Sequence, residues 1–155
     1  MREHRGLRRV ARLPLLAVLA AGALTLSGTP AFADDTDTVV ALVNEEREAA
    51  GCSPVSVDDE LTEAAQGHSR DQAERGEMGH EGSDGSRVGD RATEAGYRWS
   101  SVGENVASGT TSATRAMEMW MESSGHRENI LNCKFQDIGV AQVDGYWTQD
   151  FGKPQ

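Results

Sequence analysis

Hydrophobic residues recur at helical spacing in several segments of the chain. Three of these segments predict helices over residues 37–50, 58–75 and 86–95, and each is followed at once by a glycine that favours a helix end. A fourth helix is expected to begin after Thr111 or Ser112, and Ser124 starts one further turn that reaches Leu131. The predicted inward face of the second helix consists of Leu61, Ala64, Ala65, His68 and Gln72.

The periodicity changes near the carboxyl end of the chain. Ile138, Val140 and Val143 precede Asp144-Gly145, and the β-rich segment 146–151 follows. An Asp-Gly pair between two such runs predicts a hairpin with a two-residue turn. Residues 102–106 are expected to add a third strand. The sequence therefore predicts an α+β fold in which helices cover a small central antiparallel sheet.

The amino-terminal segment has the composition of an export signal. Five arginines and one glutamate lie within residues 1–12, the apolar run 13–26 follows, and Ala31-Phe32-Ala33 precedes an acidic segment. A basic region, a short apolar region and an A-x-A site predict a secretory signal peptide over residues 1–33. The mature protein, residues 34–155, is expected to be one secreted domain that begins at Asp34. An uncleaved anchor is the alternative, and the export route stays open.

Charge narrows the range of partners. The whole chain has 15 basic and 25 acidic residues, so removal of the predicted signal peptide leaves 10 basic and 24 acidic residues, a net charge of −14. Such a protein repels nucleic acid and anionic lipid surfaces. We therefore expect no nucleic-acid partner and no stable membrane insertion after cleavage. A monomer is expected.

The chain has two cysteines, Cys52 and Cys133. Export into an oxidising compartment makes a disulfide between them the expected state. Two free buried thiols are the alternative. A metal site built on both cysteines is set aside, because no CxxC spacing is present.

Residues that carry chemistry stand in short segments far apart in the sequence. His80 lies between glycines, and the segments Gly103-Glu104-Asn105, 120–131 and 146–152 follow it, with His126 in the third. Two imidazoles and a carboxylate can hold a metal, move a proton or anchor a polar ligand once a fold brings them together.

Taken together, these segments resemble the CAP superfamily of cysteine-rich secretory proteins, antigen 5 and pathogenesis-related proteins, whose domain is also called the SCP domain. The similarity spans residues 37–152 and is greatest to compact bacterial secreted members. It implies an α-β-α sandwich and a cleft lined by two histidines and two acidic residues. His80, Glu104 and His126 match three of these positions. The fourth falls on Ser123, with Glu122 one residue earlier, and which of the two supplies it stays open.

Each of these residues also has a purely structural interpretation. His80 could be an exposed loop histidine, Glu104 could bind backbone amides in a turn, and His126 could cap a short helix. His68 is interpreted as a core histidine with its hydrogen bonds satisfied, not as a ligand. Asn105 is expected to be a structural hydrogen-bonding residue, and Arg127 and Asn129 are expected to fix loops around the cleft.

Two function classes are compatible with the sequence. The favoured one is a non-enzymatic binding module for a divalent cation, a peptide or a lipid-like ligand. The other is a metal-assisted hydrolase of peptide or cell-envelope material, with Glu104 and His126 as candidate catalytic residues. His80, Glu104 and His126 suit zinc, although no cofactor is expected to be needed for folding. Neither a helical HExxH motif nor a Gly-x-Ser-x-Gly elbow is present.

Overall fold

The computed structural model describes residues 31–155, with side chains from Asp35 onward. The predicted signal peptide, residues 1–33, thus lies almost wholly outside the described residues. In that described part, none of the helices is both long and apolar enough to cross a bilayer. The elements in chain order are α1 (Ala31–Ala49), β1 (Ser56–Val57), α2 (Asp59–Arg75), α3 (Val88–Glu94), β2 (Trp99–Ser108), α4 (Ala113–Glu122), α5 (Ser124–Ile130), β3 (Asp137–Val143) and β4 (Tyr146–Pro154).

Local signals explain where the helices begin and end. The Asp58 carboxylate accepts a hydrogen bond from the Leu61 amide at the start of α2, and Gly76 ends that helix in the left-handed conformation. Ser112 caps α4 in the same way through the Arg115 amide. The third helix is shorter than predicted, because it begins at Val88 after a loop that the helical pattern does not distinguish.

The four strands form one sheet in the order β1-β3-β4-β2. The predicted hairpin turns at Asp144 and Gly145, whose φ angles of 49° and 82° suit the two-residue turn that follows the twist of the strands. β2 pairs antiparallel with β4 along its whole length and is longer than the predicted segment 102–106. The three predicted strands pair antiparallel, as expected, and the two-residue β1, which was not predicted, pairs parallel with β3 at one edge.

Helices cover both faces of the sheet, which confirms the α+β sandwich. On one face, α1, α4 and α5 bury the larger cluster, in which Trp120 and Trp147 meet edge to face with ring centroids 6.4 Å apart. On the other face, α2 and α3 lie over a smaller cluster that contains Leu61. α2 approaches β3 so closely that a Cβ on Gly139 would lie 2.2 Å from the carbonyl carbon of Leu61.

A disulfide and a buried arginine join the end of α1 to the segment before β3. Cys52 and Cys133 are bonded to each other, as predicted. The fully buried Arg47 donates to the carbonyl oxygens of Ser53 and Asn132, next to the two cysteines. It also donates to the carbonyls of Ile130 and Phe135. Four carbonyl acceptors thus hold one guanidinium that the sequence did not single out.

Candidate functional site

Glu104 is the centre of a buried polar network on the face of the sheet that α2 and α3 cover. Its side chain is only 2 % exposed. One carboxylate oxygen accepts from Nδ1 of His80 at 2.8 Å, and the other accepts from Nη2 of Arg91 at 2.5 Å. Burial alone would raise the pKa of Glu104, but the His80 hydrogen bond and the Arg91 charge outweigh it and lower that pKa. Glu104 is therefore an ionised, fully engaged carboxylate.

His80 reaches this network from the loop between α2 and α3. Its side chain is 60 % exposed, so the imidazole joins the buried carboxylate to solvent. The hydrogen bond to Glu104 raises the pKa of His80. Arg91 fixes the same loop, since it donates to the carbonyl oxygens of His80 and Ser86. The structure therefore brings two of the predicted residues, His80 and Glu104, into direct contact.

His68 comes from α2 and is buried, as predicted, but it belongs to the same network. Its Nε2 lies 2.7 Å from the carbonyl oxygen of Gly79 and 3.9 Å from a carboxylate oxygen of Glu104. Burial lowers the pKa of His68, so the neutral ring carries its proton on Nε2. Within the described residues, Nδ1 has no hydrogen-bond partner. His68 is therefore a core histidine, with its Nε2 hydrogen-bonded to the Gly79 carbonyl.

Asp150 lies beside Glu104 and is fully buried. The register of β2 and β4 places the two residues directly opposite each other. Burial, together with the charge of Glu104, raises the pKa of Asp150 well above its usual range. This environment favours the protonated form of Asp150. Asp150 lies within the segment 146–152, but no role was predicted for it from the sequence.

His126 comes from the face of the sheet that α1, α4 and α5 cover. It belongs to α5, and its backbone carbonyl accepts from the Asn105 side chain at 3.0 Å. Asn129 in turn donates to the side-chain oxygen of Asn105 and to the Glu104 carbonyl, which agrees with the structural roles predicted for these asparagines. The His126 imidazole is half-buried, and burial, followed by the proximity of His80, lowers its pKa. Ser123 lies between α4 and α5, next to the exposed Glu122.

His80 and Glu104 of the predicted three-residue metal site are hydrogen-bonded to each other, whereas His126 comes from α5. In the part of the chain that the structure describes, no group of three or more His, Cys, Asp or Glu residues is arranged to hold a metal ion. The donor set explains why, because the Arg91 guanidinium already neutralises the Glu104 carboxylate that would face the cation. Metal binding by His80, Glu104 and His126 stays a prediction for titration to test.

A cavity of about 330 Å³ adjoins the network between α2 and the segment 82–95. His68 and Arg91 line it and also contact Glu104, so they form a wall between the cavity and the cleft around His80. The remaining lining residues are mostly acidic or small: Glu63, Ala64, Gly67, Asp71, Gly82, Ser83, Asp84, Ser86, Glu94 and Ala95.

Sequence reasoning missed Arg91 and Asp150 as members of the network. The signals that could have found them were weak. Arg91 directly precedes the small residue Ala92 in the predicted third helix, and Asp150 alternates with Thr148 in a β-rich run. Each signal places a charged side chain near the core. Neither signal indicates that the partner is Glu104.

Comparison with known proteins places the chain in a family. The family model for the cysteine-rich secretory protein family, CAP, matches residues 40–151. YkwD of Bacillus subtilis is 33% identical over 148 residues, which cover 85% of this chain and 58% of the relative. The membrane protein YlbC of the same organism is 31% identical over 115 residues, covering 74% of this chain and 33% of the relative. The chain thus spans only about a third to three fifths of these curated relatives.

Solved structures agree with this assignment. An extracellular protein of Bacillus anthracis that contains an SCP domain has a TM-score of 0.77 and 27% identity, over 86% of this chain and 45% of that one. An outer surface protein of Borrelia burgdorferi has a TM-score of 0.72 at 21% identity, over 79% and 94% of the two chains, which supports the fold alone. The disulfide, the sandwich and the matched segments agree with these comparisons, and the chain belongs to the cysteine-rich secretory protein (CAP) family.

Proposed function

We propose that this protein is a secreted binding module that recognises a peptide through the surface around His80, and that it is not a hydrolase. The observation that carries the proposal is the state of Glu104. Both of its carboxylate oxygens are engaged, one by His80 and the other by Arg91. The carboxylate therefore holds the cleft in shape instead of acting on a substrate.

A hydrolase would need a base or a nucleophile with a suitable pKa. A general base works best with a pKa near the operating pH, whereas the environment of Glu104 moves its pKa downward, away from neutrality. His126 keeps a neutral imidazole, but its carbonyl, not its ring, is bound to the polar network. These features favour binding over turnover.

His80 is suited to recognise a carbonyl group. Its Nδ1 is committed to Glu104, so Nε2 is the ring nitrogen that a ligand can reach on the 60 % exposed side chain. The raised pKa of His80 favours a proton on that nitrogen, which can then donate to a carbonyl or carboxylate oxygen. A peptide backbone offers such acceptors at every residue.

The other ligand classes receive less support. Among the described residues, the large apolar side chains that are well exposed are Val57 and Met78, which do not suggest a surface for a lipid-like ligand. A divalent cation would compete with Arg91 for Glu104. Export is supported by the predicted signal peptide and by the extracellular protein of Bacillus anthracis that the chain resembles.

The experiment uses purified residues 34–155 and an immobilised library of short peptides, read for binding and for cleavage. We expect binding without cleavage. Replacement His80→Ala should weaken the best binders at least tenfold, whereas Glu48→Gln on the exposed side of α1 should leave them unchanged. Peptide cleavage by the wild type that Glu104→Gln abolishes, while the variant stays folded by circular dichroism, would establish the hydrolase instead.

A further inference from the structure

Among residues 31–155, β2 lies at one edge of the sheet and pairs with β4 alone. In an antiparallel pair, successive residues direct their N–H and C=O groups alternately toward the partner strand and away from it. Val143 and Tyr146 flank the two-residue turn and bond to each other, so the odd-numbered residues of β4 direct these groups toward β2. The register then makes Gly103 and Asn105 bond to β4, whereas the even-numbered residues of β2 direct their main-chain groups outward.

Side chains of the neighbouring helices block part of this outer edge. The Glu104 carbonyl accepts from the side chain of Asn129 on α5 at 3.0 Å. The Val106 carbonyl accepts from Nε1 of Trp120 on α4 at 3.1 Å. Both contacts agree with the outward direction of the even-numbered residues. They also protect the edge, because a carbonyl that already has a donor is a poorer template for a further strand.

The stretch of β2 before Glu104 has no such protection. Val102 directs its N–H and C=O outward by the same alternation, it is half-buried, and neither group has a hydrogen-bond partner within the described residues. The outward N–H of Glu104 likewise has no partner there. A register shift between Trp99 and Ser101 limits the stretch at its other end. The open main-chain groups therefore suit an added strand of about four residues.

His80 lies beside this open stretch. Its imidazole is hydrogen-bonded to the Glu104 side chain at 2.8 Å. The side chains of Val102 and Glu104 lie on the same face of β2, because the two residues are two positions apart in a strand. A chain that runs along the open edge would therefore pass the imidazole that the proposed function uses.

We propose that this stretch of β2 binds an extended peptide by antiparallel strand addition. One peptide residue would satisfy both open groups of Val102, and a second would accept from the Glu104 N–H. This inference rests on the proposed function and deepens it, since it names the main-chain geometry of the peptide that His80 contacts. A second copy of the chain is a poorer occupant, because the mature domain is strongly acidic and like charges repel.

The test uses the tightest-binding hexapeptides of the library, resynthesised with a single N-methyl group at each backbone nitrogen in turn. Binding to the wild type is measured by calorimetric or NMR titration. We expect at least tenfold weaker binding when the residue that pairs with Val102 is methylated, and little change at the residues on either side of it, whose N–H groups point away from β2. Affinity that no methyl group changes, or that falls equally at every position, would overturn the proposal.

A pair of variants locates the binding on the protein. Val102→Pro removes the outward N–H and leaves the bonds to β4, which is the kind of edge position at which sheets accept proline. It should weaken binding of the same hexapeptides at least tenfold, whereas Val102→Ala, which keeps the N–H, should retain most of it. Urea unfolding checks that the proline variant is folded, and the N-methyl series on the wild type decides the matter if it is not. Equal binding by the two folded variants would overturn the proposal.

The two proposals can fail separately. Peptide binding that Val102→Pro abolishes and His80→Ala leaves unchanged would refute the proposed function alone. Binding that His80→Ala abolishes and Val102→Pro leaves unchanged would refute strand addition alone. Failure of every library peptide to bind would refute both. Self-association of the wild type that Val102→Pro abolishes, with no effect of N-methylation on peptides, would assign the edge to a second copy of the chain instead.

Discussion

Glu104 on β2 and Asp150 on β4 lie directly opposite each other on adjacent strands, and their surroundings shift the pKa values of the two carboxyl groups in opposite directions. Arg91 and His80 stabilise the negative charge on Glu104. Burial and that neighbouring charge keep the proton on Asp150. The pair resembles other close carboxyl pairs, in which like charges cannot both form and one pKa rises.

Replacement Asp150→Asn should stabilise the protein at pH 7. The folded protein holds a proton on Asp150 that the unfolded chain releases above about pH 4, so this residue costs stability as the pH rises. Asparagine has a similar size and does not ionise, so it removes this cost. Urea unfolding at pH 7 and at pH 4 measures the effect, which should be largest at pH 7.

The charge-matched control is Glu48→Gln on the exposed side of α1, which should change little at either pH. A loss of stability at pH 7 in Asp150→Asn, with wild-type stability in Glu48→Gln, would show that Asp150 is ionised in the folded protein.

His80 should stabilise the protein more in mild acid than in mild base. The pKa of His80 is raised by folding, so its contribution is complete below the unfolded value of about 6.5 and is lost as the pH rises through the folded value. The wild type should therefore exceed His80→Gln in free energy of unfolding by more at pH 5.5 than at pH 8. His68 and His126 have lowered pKa values with the opposite trend, and they are common to both proteins. A constant difference between the two proteins at both pH values would contradict the His80–Glu104 interaction.

Zinc should distinguish the predicted metal cleft from the observed network. Arg91 already forms an ion pair with Glu104, and among residues 31–155 no group of three or more His, Cys, Asp or Glu residues is arranged to hold a metal ion. We therefore expect the wild type and His126→Ala to have the same zinc affinity. Titration at pH 7.5 and 5.5, with bound metal measured after dialysis, gives the answer. A clear loss of affinity in His126→Ala at pH 7.5 would mean that the cleft rearranges to hold the ion.

Local chemistry decides how much of this structure the sequence could predict. Asp58 and Gly76 cap α2 through backbone groups close to them in sequence, so the limits of this helix were predictable. The hairpin was predictable as well, because Asp144 and Gly145 themselves adopt the positive φ angles of the turn. β1 has two residues and no detectable period, and its parallel pairing depends on β3, which lies far along the chain.

The candidate site shows the same division. Motif similarity predicted that His80 and Glu104 lie in one cleft, and the two side chains are hydrogen-bonded to each other. Asp150 meets Glu104 only through the register of β2 with β4, and Arg91 meets it only through the docking of α3. The periodicity of the sequence does not predict either of these two contacts with Glu104. For the same reason, the sequence predicted that His68 is buried but did not predict that it lies close to Glu104.

Loss of the disulfide should destabilise the protein clearly. The bond joins residues 81 positions apart, and the chain-entropy model gives about 4 kcal/mol for a loop of this length. The double variant Cys52→Ser, Cys133→Ser should therefore unfold at a markedly lower temperature. Wild-type protein treated with a reducing agent is the matched comparison and should behave alike. Unchanged thermal unfolding of both would argue against this loop-closure contribution.

Gly139→Ala should be among the most damaging small substitutions. The added methyl carbon would meet backbone atoms of Leu61 and Thr62, which cannot turn away as a side chain can. We expect a loss of about 3 kcal/mol, since α2 must move off the sheet. Gly125→Ala is the control, because its Cβ would meet nothing within 4 Å. Equal stability of the two variants in urea unfolding would show that α2 shifts at no cost.

The buried guanidinium of Arg47 spans the same gap as the disulfide, since it binds the carbonyls of the residues next to Cys52 and Cys133. Hydrogen bonds can thus align the two thiols before any oxidant acts on them. The disulfide would then form last, in a chain that is already folded, and its formation would not direct folding. The reduced chain would thus fold first and form its disulfide afterwards.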